Sequence, residues 1–345
     1  MSRSPMHTIL NMLSPIEEYY GFDEHEEIAI NQPGQIWCRR HKPDAEGNLW
    51  VPIRDERFTL EYLTTVSRAI ANAFDKKFDP NDPSKPCTIF QSLPPFDHRF
   101  AAIVGNSVTY DQSTPEGGVA LCIRKGAKAS RSFNVSFADY GLIEGEGVKD
   151  AYHQIKQITD GHVDAIKALK DSVENGCNII ISGGTSTGKT TLFNRLIEEV
   201  DPRTRIITVE DTREIKLPLH PNHVHLILER NNDSKSFSYS MAVDLIMRFT
   251  PDIVLVGEIS TTNAGSLWRL TGTGHGAMMT TIHASTVEDC YKTIADRIMG
   301  CIPSLDRGEI IEKIKEQFVV IQLNRNLQGE RIISDIRVPG EPVFY

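Results

Sequence analysis

The spacing of apolar residues changes along the chain. In FTLEYLTTVSRAIANAFDKK (58–77), Leu60, Leu63, Val66, Ile70 and Phe74 fall on one stripe at helical spacing. EEIAINQ, QIWCRR and NLWVPI before it are short strand-like runs broken by turn residues, and RFAAIVGNSV and GGVALCIRK after it return to strand. Residues 1–125 therefore read as an N-terminal α+β domain. GAKASRSFNVSFADYGLIEGEGVKD, rich in Gly, Ser and Ala, has no sustained period, and an interdomain linker is expected over 126–160. AIKALKDSV then resumes the helical period, with Val163, Ile166, Leu169 and Val173 aligned. From residue 178, strands alternate with helices. NIIIS, RIITVE, HVHLIL, DIVLVGE and AMMTTIHA are the continuous apolar runs of buried, mostly parallel strands. Helices are expected at 189–200, 238–249, 261–271 and 287–299, which makes 161–345 an α/β nucleotide-type domain. FVVIQLNRNLQGERIISDIRV (318–338) reads as a terminal hairpin turning near Gly329.

Composition narrows the class. The 345 residues suit two domains, and 40% apolar content suffices for ordinary cores. The net charge of −9 does not favour nonspecific nucleic-acid binding, which needs clustered Lys and Arg, and no direct sequence-specific nucleic-acid binding is expected. The six cysteines are scattered, with no C-x-x-C pair, so a reduced cytosolic chain is expected. The N-terminus lacks a continuous apolar stretch for export, and no apolar run approaches membrane-spanning length. ILNMLSPI is expected to dock as a helix rather than to touch a membrane. The acidic run Glu17, Glu18, Asp23, Glu24, Glu26 and Glu27 reads as a solvated face.

The chemistry gathers in the second half. GGTSTGKTT spans Gly183, Gly184, Thr185, Ser186, Thr187, Gly188, Lys189, Thr190 and Thr191, and fits G-x-x-x-x-G-K-[ST]. A strand precedes it and a helix follows, the setting a phosphate loop needs: small residues let backbone N–H groups wrap phosphate oxygens, and the helix N-terminus adds its positive end. Lys189 is the candidate β/γ-phosphate contact and Thr190 a candidate Mg²⁺ ligand. DIVLVGEIS ends on Glu258, at the sheet edge where a carboxylate can position metal or water. IITVEDTREI supplies Glu210, Asp211 and Glu214, suited to metal hydration and water activation; helix capping is the competing use of Asp211. No N-K-x-D guanine-reading motif occurs, which favours ATP. In GTGHGAMMTTIHAST, His275 and His283 are too far apart along one strand or helix to share a metal. His283, at a strand's carboxyl end, is a candidate phosphate sensor, and His275 a loop or interface residue.

In order, GGTSTGKTT, VEDTREI, VGEIS and TGHGAMMTTIHA resemble the Walker A, Asp-box, Walker B and His-box blocks of the secretion ATPase superfamily. EEIAINQPGQIW and LPLHPNHVHL resemble its VirB-eleven branch, the traffic ATPases of type IV secretion systems. The resemblance implies a RecA-like P-loop core, a ring of six subunits, and Mg²⁺-dependent hydrolysis of ATP bound between two domains. It implies that Glu214 is the catalytic glutamate, with Glu210 and Asp211 supporting at the metal. It makes Glu258 the Walker B glutamate and His283 the His-box histidine. It also implies that Arg99, Arg124 and Arg248 are phosphate-facing arginines. The implied setting is the cytoplasm, peripheral to the inner face of the cytoplasmic membrane. The implied partners are inner-membrane secretion components, coupling proteins, and a secreted protein or DNA–protein substrate. Four positions, in three places, depart from the pattern. Ser186 and Thr187 stand where Gly and Ser are usual, Ser260 where an arginine often follows the Walker B glutamate, and Thr250 where a second arginine precedes PD. Competing readings are a pilus or type II secretion ATPase, a small-molecule P-loop kinase, and a nucleotide-binding scaffold without turnover.

Overall fold

A computed structural model describes residues 5–21, 24–82, 85–94, 97–110, 117–125, 169, 171–173, 175–228, 237–272, 277–326 and 328–339. His275 and the expected linker at 126–160 lie outside these residues, as does most of the helix expected around Val163. The chain divides into two units: Met1–Gly141 with Asn222–Thr250, and Leu142–Pro221 with Pro251–Tyr345. The segment Asn222–Thr250 thus belongs with the first unit, although in sequence it lies between strands of the second.

In the first unit, β1 (His25–Gln32), β2 (Gln35–Arg40), β3 (Trp50–Arg54), β4 (Thr88–Leu93), β5 (His98–Gly105) and β7 (Gly118–Arg124) form an antiparallel sheet in the order β3-β2-β1-β7-β5-β4. Strand side chains alternate between faces. Ile28 and Ile30 of β1, with Phe100, Ala102, Leu121 and Ile123, join a core with helices α1 (Pro5–Tyr20) and α2 (Leu60–Ala73). Thr59 caps α2 by accepting from the Tyr62 N–H. Helix α1 supplies Ile9, Leu13, Ile16 and Tyr20, so the apolar stripe of the N-terminal segment is spent inside this unit. The alternate residues of β1 meet Asn222–Thr250. Asn31 Nδ2 donates to Asn222 Oδ1 at 2.8 Å, and Thr250 Oγ1 donates to Glu27 Oε1 at 2.6 Å. Helix α4 (Tyr239–Phe249) packs on β5 and β7. Strand β10 (His223–Ile227) pairs antiparallel with β6 (Val108–Thr109).

Glu27 therefore departs from the solvated face expected for the acidic run: it is fully buried and also accepts from Cys122 Sγ at 2.8 Å. Glu18, Glu24 and Glu26 pair with Arg57, Arg40 and Arg39, respectively.

In the second unit, β8 (Asn178–Gly183), β9 (Ile206–Glu210), β11 (Ile253–Val256), β12 (Ala277–Ile282) and β13 (Phe318–Arg325) run parallel in the order β13-β8-β12-β11-β9. Strand β14 (Arg331–Arg337) adds antiparallel to β13 and closes the expected hairpin. All residues of β9, β11 and β12 are buried, as the continuous apolar runs required. Around the sheet lie α3 (Lys189–Glu198), α5 (Ala264–Leu270), α6 (Val287–Cys301) and α7 (Arg307–Gln317). Helix α7 has no counterpart among the sequence-derived helices; its inward stripe is only Ile310 and Ile314, too sparse to stand out. No helix among the described residues is long and apolar enough to cross a membrane.

Candidate active site

Strand register builds the site. Ser182 lies beside Ile282 across β8–β12, so the residue after β12, His283, falls beside the loop leaving β8. Val256 pairs with both Thr280 and Val209, so the segments after β11 and β9 end on the same edge. Three chain segments carrying His283, Glu258 and Glu214 thus leave the sheet at its carboxyl edge, where open α/β sheets place their ligands.

The loop Gly183–Gly188 is tightly packed. A Cβ on Gly183 would lie 2.6 Å from Thr187 Oγ1 and 2.7 Å from the Leu323 carbonyl, so only glycine fits. Gly188 has φ of 96° and no side chain caps α3 behind it. By contrast Ser238, Thr286 and Asp306 cap α4, α6 and α7. The first N–H groups of α3 are thus left unclaimed by a cap, the arrangement that binds phosphate. Ser186 adopts φ of 60°, the left-handed conformation a glycine takes readily.

Lys189 is 8% exposed. Its ammonium donates to the carbonyls of Gly183 and Gly184, both at 2.9 Å, and meets His283 Nδ1 at 3.1 Å. An ammonium can only donate, so Nδ1 accepts and the neutral ring carries its proton on Nε2. That nitrogen lies 3.9 Å from Glu258 Oε2. Burial holds the Lys189 pKa below the ordinary lysine value, with the Glu258 charge acting in the opposite sense. Lys189, His283 and Glu258 form one chain of polar contacts along the edge.

The Asp-box acids separate by environment. Glu214 is exposed, and its Oε2 accepts from Thr190 Oγ1 at 3.2 Å. Glu210 is 2% exposed. Its Oε1 accepts from the N–H groups of Glu214 and Ile215, both at 2.8 Å, and its Oε2 from Thr208 Oγ1 at 2.9 Å. Its carboxylate ties down the loop that carries Glu214. Asp211 is half-buried at the start of that loop. Ser260, at the position where the pattern often has arginine, donates its N–H to Asn263 Oδ1 at 2.8 Å, while Asn263 Nδ2 donates to the Glu258 carbonyl at 2.7 Å. Arg297 donates to the Ile259 carbonyl, so an arginine does brace this loop, but from α6.

Arg99, Arg124 and Arg248 belong to the first unit and are exposed. Arg99 and Arg124 face each other across β5–β7, and among the described residues neither forms an ion pair. Like charges directly opposite in a ladder repel, while across β1–β7 Arg124 lies opposite Glu27. Arg248 stacks over Phe90, 4.9 Å from the ring centre. The reading from sequence missed Asn263 and the arginines of the terminal hairpin, Arg325 and Arg331. None stands in a recognisable phosphate motif, and only the β8–β13 pairing brings the hairpin to the loop.

A phosphate loop on a parallel sheet, with acids and a histidine converging on its lysine and threonine, is the arrangement of a P-loop fold with a RecA-like core. Comparison with known proteins narrows the class. The family described as Type II/IV secretion system protein matches residues 153–303. The type IV secretion system protein PtlH of Bordetella pertussis (strain Tohama I) is 26% identical, covering 90% of this chain and 89% of the relative. VirB11 of Bartonella quintana (strain Toulouse) is 26% identical, covering 97% of this chain and 94% of its own. The crystal structure of the VirB11 ATPase from the Brucella suis type IV secretion system, in complex with sulphate, matches in fold with a TM-score of 0.79. It does so at 22% identity over 97% of this chain and 95% of that one. In sequence the chain is thus similar to type IV secretion system proteins, and in fold to the VirB11 ATPase.

Proposed function

We propose that this chain is the ATP-hydrolysing motor of a type IV secretion system, working as a ring of six subunits. It would act at the inner face of the cytoplasmic membrane with membrane-embedded secretion components and coupling proteins, on a protein or DNA–protein cargo. The observation that carries the catalytic part is the convergence of Lys189, His283 and Glu258 on one side and Thr190 and Glu214 on the other at the start of α3.

The roles follow from the chemistry of each group. Backbone N–H groups of 184–191 and the open end of α3 receive the β- and γ-phosphates. Lys189 exchanges carbonyl partners for phosphate oxygens, to which a cation is better matched. Thr190 is the candidate Mg²⁺ ligand, with Asp211 supporting; Glu210, also expected at the metal, has both carboxylate oxygens engaged by Thr208, Glu214 and Ile215 and supports by holding the loop. The Thr190 hydroxyl beside a carboxylate is a hard-oxygen donor set, and phosphates complete such sites. Among the described residues no cluster of three His, Cys, Asp or Glu could hold a metal unaided, which fits an ion that arrives with nucleotide. Bound Mg²⁺ neutralises charge on the phosphates. Glu214 orients and deprotonates the attacking water. His283, touching both Lys189 and Glu258, senses occupancy of the γ-phosphate position. Arg99, Arg124 and Arg248 are proposed as guanidinium partners for phosphate charge; the facing pair across β5–β7 supports this.

Phosphate release by the purified chain, with light scattering at increasing Mg-ATP, tests the reading. Wild type should hydrolyse ATP and assemble to hexamer mass, and Lys189→Ala should lose turnover by at least about a hundredfold. Equal turnover by the two proteins would remove the assignment.

A further inference from the structure

Ser186 is where this phosphate loop carries a side chain in the left-handed region, with φ of 60°. The conformation is unfavourable for serine, and something must hold it. The terminal hairpin does so. Across β8–β13, Leu323 pairs with Gly183, so the hairpin continues past the sheet edge alongside the phosphate loop. Two residues further on, Arg325 donates to the Ser186 carbonyl with both Nε, at 3.2 Å, and Nη2, at 2.8 Å. Both prongs of the fork meet one backbone oxygen. Arg325 faces Arg331 across β13–β14. The Arg331 side chain lies over Gly188: a Cβ there would stand 2.9 Å from its Cδ and 3.3 Å from its Nε. The hairpin tip is itself closed by Asn326, whose N–H donates to the Glu330 carbonyl at 3.0 Å and whose carbonyl accepts from Gly329 at 2.9 Å. Two arginines facing each other on the hairpin therefore contact the loop at its two left-handed residues.

The peptide bond is planar and trans, so its C=O and N–H point in opposite directions. Fixing the Ser186 carbonyl on Arg325 fixes the Thr187 N–H away from the hairpin. We propose that Arg325 is a positioning residue for nucleotide binding. Its guanidinium fork holds the Ser186–Thr187 peptide so that the Thr187 N–H faces a nucleotide phosphate, and so replaces the conformational freedom of a glycine at 186. Arg331 keeps the fork in place by packing over Gly188. This rests on the ATPase reading above and adds to it the group that shapes the loop.

The test is a double-mutant cycle on the full chain, with Mg-ADP affinity measured by calorimetry and the melting temperature measured alongside. Arg325→Ala should weaken Mg-ADP by about tenfold, the size expected for loss of a charge-assisted pair of bonds at an exposed site. In a Ser186→Gly background the same substitution should weaken it by less than about threefold, because glycine adopts the loop conformation unaided. A general structural role for the arginine would give equal losses in both backgrounds, and that result, or no loss in either, overturns the proposal. Should Arg325→Ala fail to fold, Arg325→Lys keeps the charge and stem but not the fork. It should give about a threefold loss that vanishes with glycine at 186, and a loss of equal size in both backgrounds again overturns the proposal. A wild-type chain that binds no Mg-ADP would instead remove the ATPase reading, and the proposal with it.

Discussion

Glu210 and Glu214 are four residues apart and have different environments. Glu214 is exposed and meets the Thr190 hydroxyl, whereas Glu210 is buried and accepts two backbone N–H groups and a threonine hydroxyl. Glu214→Gln should therefore lower turnover by at least about a hundredfold while nucleotide binding and the urea midpoint stay near wild type. Glu210→Ala should lower turnover and also destabilise the chain by about 1–3 kcal/mol, because the N–H groups of Glu214 and Ile215 lose their acceptor. Parallel phosphate-release and urea-unfolding curves separate the two; a Glu210→Ala protein of undiminished stability would contradict the positioning role. Spacing alone leaves these acids equivalent members of one cluster, and in the sequence only the family resemblance sets Glu214 apart. Spacing places all of them at or after a strand's end but does not say which carboxylate turns inward. The same holds for the histidines: the position of His283 beside a strand end was readable, but its contact with Lys189 was not.

Helix α1 illustrates the intermediate scale. ILNMLSPI reads in the sequence as a helix that docks; the structure gives its stripe as Ile9, Leu13, Ile16 and Tyr20 and its surface as the first unit's core. Its last turn is tied by a polar cluster. Tyr19 donates its hydroxyl to Asp55 Oδ2 at 2.6 Å, and Arg57 bridges Asp55 and Glu18 at 2.7 Å each. Hydrogen bonding from Arg57 foremost, then from Tyr19, holds the Asp55 carboxyl well below the usual carboxylate range, against the opposing effect of burial. A folded-state pKa below the unfolded one means stability that is present above about pH 4 and drains away as pH falls. Asp55→Asn should cost about 1 kcal/mol at pH 7, a figure kept small by solvent around the half-exposed Arg57. The gap from wild type should close as pH falls below about 4. Thermal melts of both proteins across that range check it, and a pH-independent gap would point to lost packing instead.

At the scale of the molecule, the chain visits its first unit twice. Residues 222–250 leave the nucleotide-binding unit after Pro221, bring α4 onto β5 and β7, and give Glu27 and Asn31 their partners. Thr250, where the family pattern has an arginine, closes α4 in the left-handed conformation at φ of 43°, its hydroxyl on buried Glu27. A fragment of residues 1–141 should therefore unfold at lower urea and over a broader range than the same fragment joined by a short linker to residues 222–250. Coincident unfolding curves would show that the second visit adds nothing to this unit's stability.

The sequence by itself determined what short-range periodicity and local chemistry can carry. It gave the parallel strands as continuous apolar runs, the phosphate loop between a strand and a helix, the edge on which the acids and His283 emerge, and the hairpin turn near Gly329. Each depends on residues within one element and its flanks. Only the tertiary structure decided which element meets which. It placed 222–250 against β1, buried Glu27, divided Glu210 from Glu214, and laid Arg325 and Arg331 against the phosphate loop. Those contacts join residues far apart in the chain, here Ser186 with Arg325, and their directions are set by strand order and register, which no local pattern of apolar and polar residues encodes.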